Sequence, residues 1–472
     1  MYPNDTPKKE KVKVAPPTFR HGGNKLLFIS LGCPRNRVDT EVMLGILLKA
    51  GYEPTDAIEE ADYIIINTCG FLEAARDESL ATIEEMYEER KEGAKIIVTG
   101  CMVQSHAGLI KKHFPDIDYL LGSGDVEGIL TAIQAKEQGS AITSAKSYLE
   151  AGEVPRQIST PPHYAYLKIA EGCKKRCAYC IIPQIKGPLK SKSLEQIVKE
   201  FRTLRDQGVH EIILIAQDLG DWGKDQGYKR SDGLIKVLET LLQEEGDFWL
   251  RLLYLYPDEI THSLVKLMKS DPRICPYLDM PIQHVNNEML KAMHRATSKE
   301  AIIRSLEWLR LEIPEITIRT SLIVGFPGET EKQFEELLEF VEKYPIDNVG
   351  IFKYSNEPGS YAANLPNQIS EEVKAKREKQ LAKAQKKVVR HLLKKKVGQI
   401  LEVVIEGYHP ESPLLMVGRT RGQCPEIDGI VIINDTSGVD AFGKRYPVKI
   451  TEALDYDLVG SVAKKELKNH NK

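Results

Sequence analysis

The chain has 472 residues, which at ~150 residues per domain implies about three domains. It is 42% hydrophobic and 28% charged, and 65 Lys plus Arg stand against 68 Asp plus Glu, a net charge of −3 that excludes a generally basic nucleic-acid coat but not a local basic patch. No apolar run approaches the ~20 residues of a transmembrane helix, and the first 24 residues lack the apolar stretch of a signal peptide. A cytoplasmic protein with no membrane partner is therefore expected, and its eight cysteines point to metal or redox chemistry rather than to disulfides.

Residues 1–24 are polar, rich in Lys and Pro, and read as a disordered tail. Over 25–150, Leu26–Ser30, Tyr63–Asn67 and Lys95–Thr99 read as buried strands. Helical patterns at Thr40–Ala50 and Ala74–Glu92, ended by Gly51 and Gly93, separate them, and such alternation implies a parallel sheet. A block over 151–395 carries six more strand candidates: Tyr164–Ala170, Glu211–Gln217, Phe248–Tyr256, Tyr277–Met280, Thr317–Val324 and Val349–Tyr354. Helical patterns such as Ser193–Gln207 and Thr330–Tyr344 lie between them. Six β/α units are too few for the eight-unit barrel, so an open, partial barrel is expected.

The block ends in a helical stretch, 371–396, with 11 Lys or Arg against 3 Glu, a net of +8. Its interspersed Val373, Leu381, Val388 and Leu392 favour an outer helix joining two domains over an RNA-binding face. Over 396–465 short β runs, Ile400–Ile405, Leu415–Val417 and Ile430–Ile433, are punctuated by Gly and Pro, as in a small β-barrel. Residues 466–472 read as a tail. The fold class is α/β throughout, with a β-barrel at the carboxyl end.

Cys173, Cys177 and Cys180 are spaced C-x3-C-x2-C just after a strand. Thiolates are soft ligands suited to iron–sulfur clusters or zinc, but a closed zinc site wants four ligands and no fourth Cys or His follows nearby. Three ligands leave a metal position open to an exogenous group. The competing reading is a cysteine-rich turn, or a zinc site borrowing a distant ligand.

This motif, at the start of a six-unit barrel, resembles the radical S-adenosylmethionine enzymes. The resemblance implies a four-iron four-sulfur cluster whose open iron chelates the cofactor's methionyl amine and carboxylate. It implies that Tyr179 packs near the adenine. The Ile323–Gly328 segment reads plainly as a tight strand-to-helix turn, and the resemblance gives Gly325 an adenine-contacting role. Ala216-Gln217-Asp218 ends the second barrel strand, where the family's amine-contacting motif sits, so Gln217 is a cofactor candidate. Gln283 and His284 end the fourth strand and are pocket-lining candidates, His284 as a base being the weaker idea. For each, a structural polar role at a strand end is the alternative.

Cys33, Cys69 and Cys101 are 36 and 32 residues apart, a spacing of no local metal motif. Each falls just past the carboxyl end of a buried strand, and in a parallel sheet those ends share one edge, so three distant thiolates can converge. Three unrelated buried cysteines are the bland alternative. With the second trio, the pattern resembles the methylthiotransferases, two-cluster enzymes with an amino-terminal cluster domain, a radical barrel and a carboxy-terminal TRAM β domain. The resemblance implies that Cys33, Cys69 and Cys101 ligate an auxiliary cluster, and Cys173, Cys177 and Cys180 the radical cluster. Cys275 and Cys424 fall outside both sets and read as structural. The implied cofactors are two four-iron four-sulfur clusters and S-adenosylmethionine. The implied chemistry is reductive cleavage to a deoxyadenosyl radical, hydrogen abstraction from a carbon, and transfer of a methylated sulfur from the auxiliary cluster.

That family acts either on tRNA adenosine or on the β carbon of an aspartate in small-subunit ribosomal protein S-twelve. Gly32-Cys33-Pro34-Arg35-Asn36 resembles the Gly-Cys-Pro-Lys-Asn of the protein-directed branch more than the Gly-Cys-Gln-Met-Asn of the other, with Arg35 a departure. Leu278–His284 with Met293-His294-Arg295, and Tyr354–Ser360 with Glu357 where the tRNA branch has Arg, point the same way. Residues 398–463 hold ten acidic against five basic side chains, a net of −5, whereas a domain that grips phosphates should be basic. Leu219-Gly220-Asp221-Trp222-Gly223 departs from the branch's usual Thr-Thr and Tyr-Gly. The implied partners are ribosomal protein S-twelve, a small flavodoxin- or ferredoxin-like electron donor, and the ribosome. A tRNA methylthiotransferase is the alternative. More distant is a non-catalytic iron–sulfur redox sensor or ribosome-docking protein, which needs neither the open iron site nor the Gly325–Gly328 turn.

Overall fold

The computed structural model describes residues 24–143, 147–150 and 154–463. The tails expected over 1–24 and 466–472 lie outside the described residues, apart from Asn24. Among the described residues, no helix is long and apolar enough to cross a membrane.

The first unit runs β1 (Lys25–Ser30), α1 (Pro34–Lys49), β2 (Glu53–Pro54), β3 (Tyr63–Thr68), α2 (Glu73–Glu89), β4 (Lys95–Gly100), α3 (Cys101–His113), β5 (Tyr119–Gly122), α4 (Ile129–Gln134) and β6 (Gly139–Ala141). Its parallel sheet has the order β2-β1-β3-β4-β5-β6. The three expected strands are its centre. The other three have two to four residues, too few for a periodic signal. Helix α1 starts at Pro34, six residues before the expected Thr40, with Cys33 in extended backbone at its N-cap and Pro at its first position, where no amide donor is missed. Its early turns are polar yet buried (Asn36, Asp39, Thr40, Glu41), so no apolar stripe marks where it begins.

The second unit runs β7 (Tyr164–Lys168), β8 (Ala170–Glu171), α5 (Ile182–Lys186), β9 (Lys190–Ser191), α6 (Leu194–Asp206), β10 (Glu211–Ile215), α7 (Asp232–Leu241), β11 (Trp249–Leu252), α8 (His262–Ser270), β12 (Ile274–Asp279), α9 (Asn287–Ala292), α10 (Lys299–Glu312), β13 (Thr317–Val324), α11 (Glu331–Lys343) and β14 (Asn348–Lys353), followed by α12 (Glu371–Lys394). Six parallel strands pair in the order β14-β13-β12-β11-β10-β7, and β7 does not pair with β14, so the barrel is open. Alternation along the strands separates two cores. Ala165, Leu167, Ile212 and Leu214 face the outer helices. Tyr164, Tyr166, Ile213 and Ile215 face inward, where they meet Val38, Val42 and Leu47 of α1 and Ile129 and Ile133 of α4. The first unit thus packs into the open side of the barrel. Strand β11 stops at Leu252, short of the expected Tyr256, because Tyr254 takes a left-handed φ of +65°.

The third unit is a closed barrel of β15 (Ile400–His409), β16 (Ser412–Thr420), β17 (Val431–Asp435), β18 (Arg445–Ala453) and β19 (Leu458–Val462), in the order β15-β16-β17-β19-β18. Two of these strands, β18 and β19, lie beyond the runs named from the sequence, although Tyr446, Val448 and Ile450 of β18 alternate toward the core. The loop between β16 and β17 turns back into the base of the larger barrel, where its strands begin. There Arg421 Nη2 donates to Ile274 O at 2.9 Å, Arg251 Nη1 donates to Arg421 O at 2.9 Å, and Tyr277 Oη donates to Asp428 Oδ2 at 2.7 Å. Cys275 and Cys424 are both fully buried in this shared core, a packing role.

The loop changes the meaning of the acidic β domain. Glu406 pairs with Arg419 and His163, Glu426 with Arg37 and Tyr164, and Asp428 with Tyr277 and Arg319. Glu402, Glu411, Asp440 and Glu452 remain exposed, against exposed Lys444 and Lys449, so the outer surface stays acidic but less so than the sequence count suggests. Helix α12 links the two barrels, burying Lys374, Arg377, Leu381, Ala384, Gln385 and Val389. Val373, Val388 and Leu392 are only half-buried, since buried charged side chains share the inner face.

Candidate functional site

β1, β3 and β4 are neighbours in the first sheet, so the turns that follow them lie side by side. Cys33 caps α1, Cys69 follows Thr68, and Cys101 opens α3. Glycines let these turns interlock. A Cβ on Gly32 (φ +90°) would lie 2.9 Å from Cys69 Cβ, and one on Gly70 would lie 2.6 Å from Met102 Cα. Asn36 Nδ2 donates to Leu31 O at 2.7 Å, and Asn67 Nδ2 donates to Asn36 O at 2.8 Å, pinning the first turn to the second.

All eight cysteines are free thiols. Burial pushes Cys69 up to about 12, and the charges of Cys101 and Cys33 add to this. Burial also pushes Cys101 up, to about 11, against a lowering by Lys186. Cys33 is half-buried, and the Arg35 guanidinium and the N–H of Asn36 outweigh its desolvation and hold its thiol below the ordinary value. Two thiols whose ionisation is opposed by burial and by neighbouring sulfurs, beside one whose ionisation is favoured, fit a multivalent soft metal group, whose charge would neutralise all three.

The second trio lies in the loop between β8 and β9, which pair across it. Cys173 Sγ accepts the Lys175 N–H and Cys180 Sγ the Ile182 N–H, each at 3.4 Å. Cys177 is buried, 3.1 Å from Tyr256 Oη and 3.8 Å from Arg295 Nη1. Burial, then neighbouring charges, raise Cys173 to about 11 and Cys180 to about 12. The donor chemistry again fits an iron–sulfur cluster.

The two trios meet. Cys101 packs against Ile181 and Ile185, just beyond Cys180. Arg35 Nη1 donates to Ala216 O at 2.8 Å, and its guanidinium lies 4.6 Å above the Tyr254 ring. The docking of the first sheet's edge on the barrel's carboxyl-end face, required for chemistry between two clusters, is present. Beneath it, buried Lys186 pairs with Asp39 at 3.1 Å and Glu171 at 2.9 Å, and Lys168 joins the same carboxylates.

The other candidates stand around this seam. Tyr179 packs in a cluster with Ile323, Phe326 and Met293, flanking Gly325. Gln217 is half-buried and its Oε1 has no hydrogen-bond partner. Gln283 has φ +71° and bridges to β13, a strained backbone of the kind found at binding sites. Gly325 takes a left-handed φ of +73°. The space its missing side chain leaves is filled by the Lys374 stem, 2.3 Å from an ideal Cβ, and its N–H donates to Glu329. His284 is no base. It is fully buried, its Nδ1 accepts the N–H groups of Val285 and Asn286, and its Nε2 therefore carries the hydrogen donated to Glu329 at 3.1 Å.

Sequence reasoning missed one cluster. Asp218, Asp221 and Glu259 are buried with carboxylate oxygens close enough to share one cation. Lys175, inside the cysteine loop, reaches Asp218 at 3.2 Å, Glu259 at 3.4 Å and Asp221 at 3.6 Å. Burial and the Asp221 charge push the Asp218 carboxyl up to about 7. The signal available was three acids at the ends of two adjacent strands.

Comparison with known proteins follows the same division. Residues 25–122 match the uncharacterized protein family UPF0004, residues 167–341 the radical SAM superfamily, and residues 397–463 the TRAM domain. The radical S-adenosylmethionine methyltransferase TsrM from Kitasatospora setae, solved with cobalamin and an iron–sulfur cluster, superposes with a TM-score of 0.53 at 13% identity, covering 84% of this chain and 81% of that one, a likeness of fold alone. The ribosomal protein uS12 methylthiotransferase RimO of Protochlamydia amoebophila is 66% identical over 455 residues, 96% of each chain. The RimO protein of Bdellovibrio bacteriovorus is 43% identical over 446 residues, 93% of this chain and 97% of its own length. With both cysteine trios in place on this three-part fold, the chain belongs to the RimO family of radical SAM methylthiotransferases.

Proposed function

We propose that the chain adds a methylthio group to the β carbon of an aspartate in ribosomal protein uS12. The observation that carries this is the meeting of the two trios, Cys101 against Ile181 and Arg35 against Ala216, on one face of the barrel. Cys33, Cys69 and Cys101 would hold the auxiliary cluster, and Cys173, Cys177 and Cys180 the radical cluster. When bound, the clusters and S-adenosylmethionine supply the electron, the hydrogen-abstracting radical and the sulfur.

The chain's own residues orient and exclude. Gln217 offers an unpaired acceptor just past β10, and the Asp218, Asp221 and Glu259 carboxylates hold the ammonium groups of Lys175 and Lys224, an environment suited to amines. Tyr179, Gln283 and Gly325 line the same end of the barrel. The functional units divide near residues 150 and 395.

A flavodoxin- or ferredoxin-like donor in the cytoplasm would supply the electron. The ribosome is the second proposed partner. Lys376, Lys379, Lys383, Lys387, Arg390 and Lys394 are exposed at three- and four-residue spacing, one continuous stripe about 27 Å long that suits ribosomal RNA beside uS12. An anaerobic assay offering both uS12 and unmodified tRNA, with mass spectrometry of each, tests the function. A methylthio mass gain on uS12 is expected, and a gain on tRNA alone would overturn it.

A further inference from the structure

We propose that Arg35 binds the carboxylate of the target aspartate, an inference that rests on the uS12 reading above. The reacting β carbon is bonded directly to the carboxyl carbon. Whatever grips the carboxylate therefore fixes the reacting atom one bond away. That grip must lie where the two cysteine trios face each other, because one side removes hydrogen and the other delivers sulfur.

Arg35 stands on that seam. It follows Cys33 by two residues, reaches Ala216 O at the end of β10 at 2.8 Å, and lies over Tyr254 beyond the end of β11. Its charge bears on Cys33 and Cys101 of one trio and on Cys180 of the other. Its neighbours are a carbonyl, an aromatic face and a sulfur, and no carboxylate among the described residues forms an ion pair with it. Asp279 feels its charge but is governed more by Arg319. A guanidinium has five donors in a planar fork that matches a carboxylate, and the contacts to Ala216 and Cys33 use only part of it.

The other cations near the seam are engaged. Lys175 sits within 3.6 Å of four carboxylates. Lys186 is paired with Asp39 and Glu171. Arg295 stacks 3.8 Å above Tyr256 and donates to Pro281 O. Arg319 lies 3.6 Å from Asp428 and its charge bears most on Asp279. Among the described residues, Arg35 and Arg295 at the seam are each held by a carbonyl, an aromatic ring and a sulfur and by no carboxylate; Arg295 is buried, whereas Arg35 is half-buried and open to an acid.

The test is a double-mutant cycle on binding. Anaerobic, cluster-loaded protein is titrated with intact uS12 and with uS12 whose target aspartate is replaced by asparagine. The parent should prefer the aspartate form by about tenfold or more. Arg35→Met should lose that preference while binding the asparagine form as the parent does, and Arg35→Lys should restore most of it. If Arg35→Met weakened both forms equally, Arg35 would be only a bolt between domains, and the proposal would fall. It would also fall if the preference survived in Arg35→Met, or if the parent bound both forms alike, which leaves the uS12 reading intact. A parent that bound neither form would overturn the uS12 reading and this inference with it.

Discussion

The carboxylate of Glu357 and the guanidinium of Arg76, 281 residues apart, form a buried ion pair across the junction of the first unit and the barrel. The second oxygen of Glu357 accepts the N–H of Glu73 at 3.0 Å, at the start of α2, and Arg76 also reaches Gly70 O beside Cys69. Glu357 is one of the positions at which the sequence resembles the protein-directed branch rather than the tRNA-directed one. Here it serves as a latch that fixes the Cys69 turn over the barrel.

Breaking that latch should be costly, because either partner left alone is a buried, uncompensated charge. Glu357→Ala is expected to lower unfolding free energy by about 3–5 kcal/mol. Chemical denaturation of the unloaded protein would measure it. A loss under about 1 kcal/mol would place the pair among ordinary surface bridges.

The cysteine assignments separate by chemistry. Cys69→Ala should lose about half of the bound iron yet still cleave S-adenosylmethionine under strong reductant. Cys177→Ala should abolish that cleavage while keeping the other half of the iron. Iron analysis with quantitation of deoxyadenosine decides it, and full iron retention in Cys69→Ala would remove it from the ligand set.

Glu211 ties the two barrels together, accepting from Arg251 Nε at 2.6 Å and Arg419 Nη2 at 2.9 Å. Burial works to raise its carboxyl, but the two guanidinium groups prevail and hold it down at about 2. An unfolded glutamate titrates near ~4.3. The folded chain therefore binds fewer protons at this site, so its contribution is complete above that value and is lost as pH falls toward 2. Between about pH 5 and pH 2 the parent should lose about 3 kcal/mol more than Glu211→Gln does. Parallel urea titrations at several pH values would show whether the two curves converge.

The basic stripe of α12 predicts a salt signature. Lys379→Gln, Lys383→Gln and Lys387→Gln together should weaken binding to the small ribosomal subunit and flatten its salt dependence by about one unit of slope per lysine. Modification of isolated uS12 should be unaffected. An unchanged slope would mean that the stripe is simply solvated.

Much of the site was legible because strands announce their ends. The apolar runs Ile64–Ile66 and Ile96–Val98 locate Cys69 and Cys101 on one sheet edge with no contact information at all. What stayed hidden lies where polar groups are buried by other parts of the chain. The start of α1 was missed because Asn36, Asp39 and Glu41 face partners far along the sequence, Glu41 pairing with Arg156 and Asp39 with Lys168. For the same reason Glu406, Glu426 and Asp428 looked like an acidic surface when they are interface groups. His284 looked like a pocket residue because its position at a strand end is visible in sequence, whereas the direction of its ring is not.

Helix α1 carries Cys33 at its cap, Arg35 against the barrel's carboxyl-end face, Arg37 against Glu426 of the last domain, and Asp39 and Glu41 against Lys168 and Arg156. It therefore acts as a ruler read by all three units at once. One residue inserted after Arg35 would rotate everything beyond it by about 100°, and no rearrangement of a single neighbour could re-seat Arg37, Asp39 and Glu41 together. The gap between the two cysteine trios is thus set by the register of one helix, and a length change that a surface loop would absorb should here pull one trio away from the other.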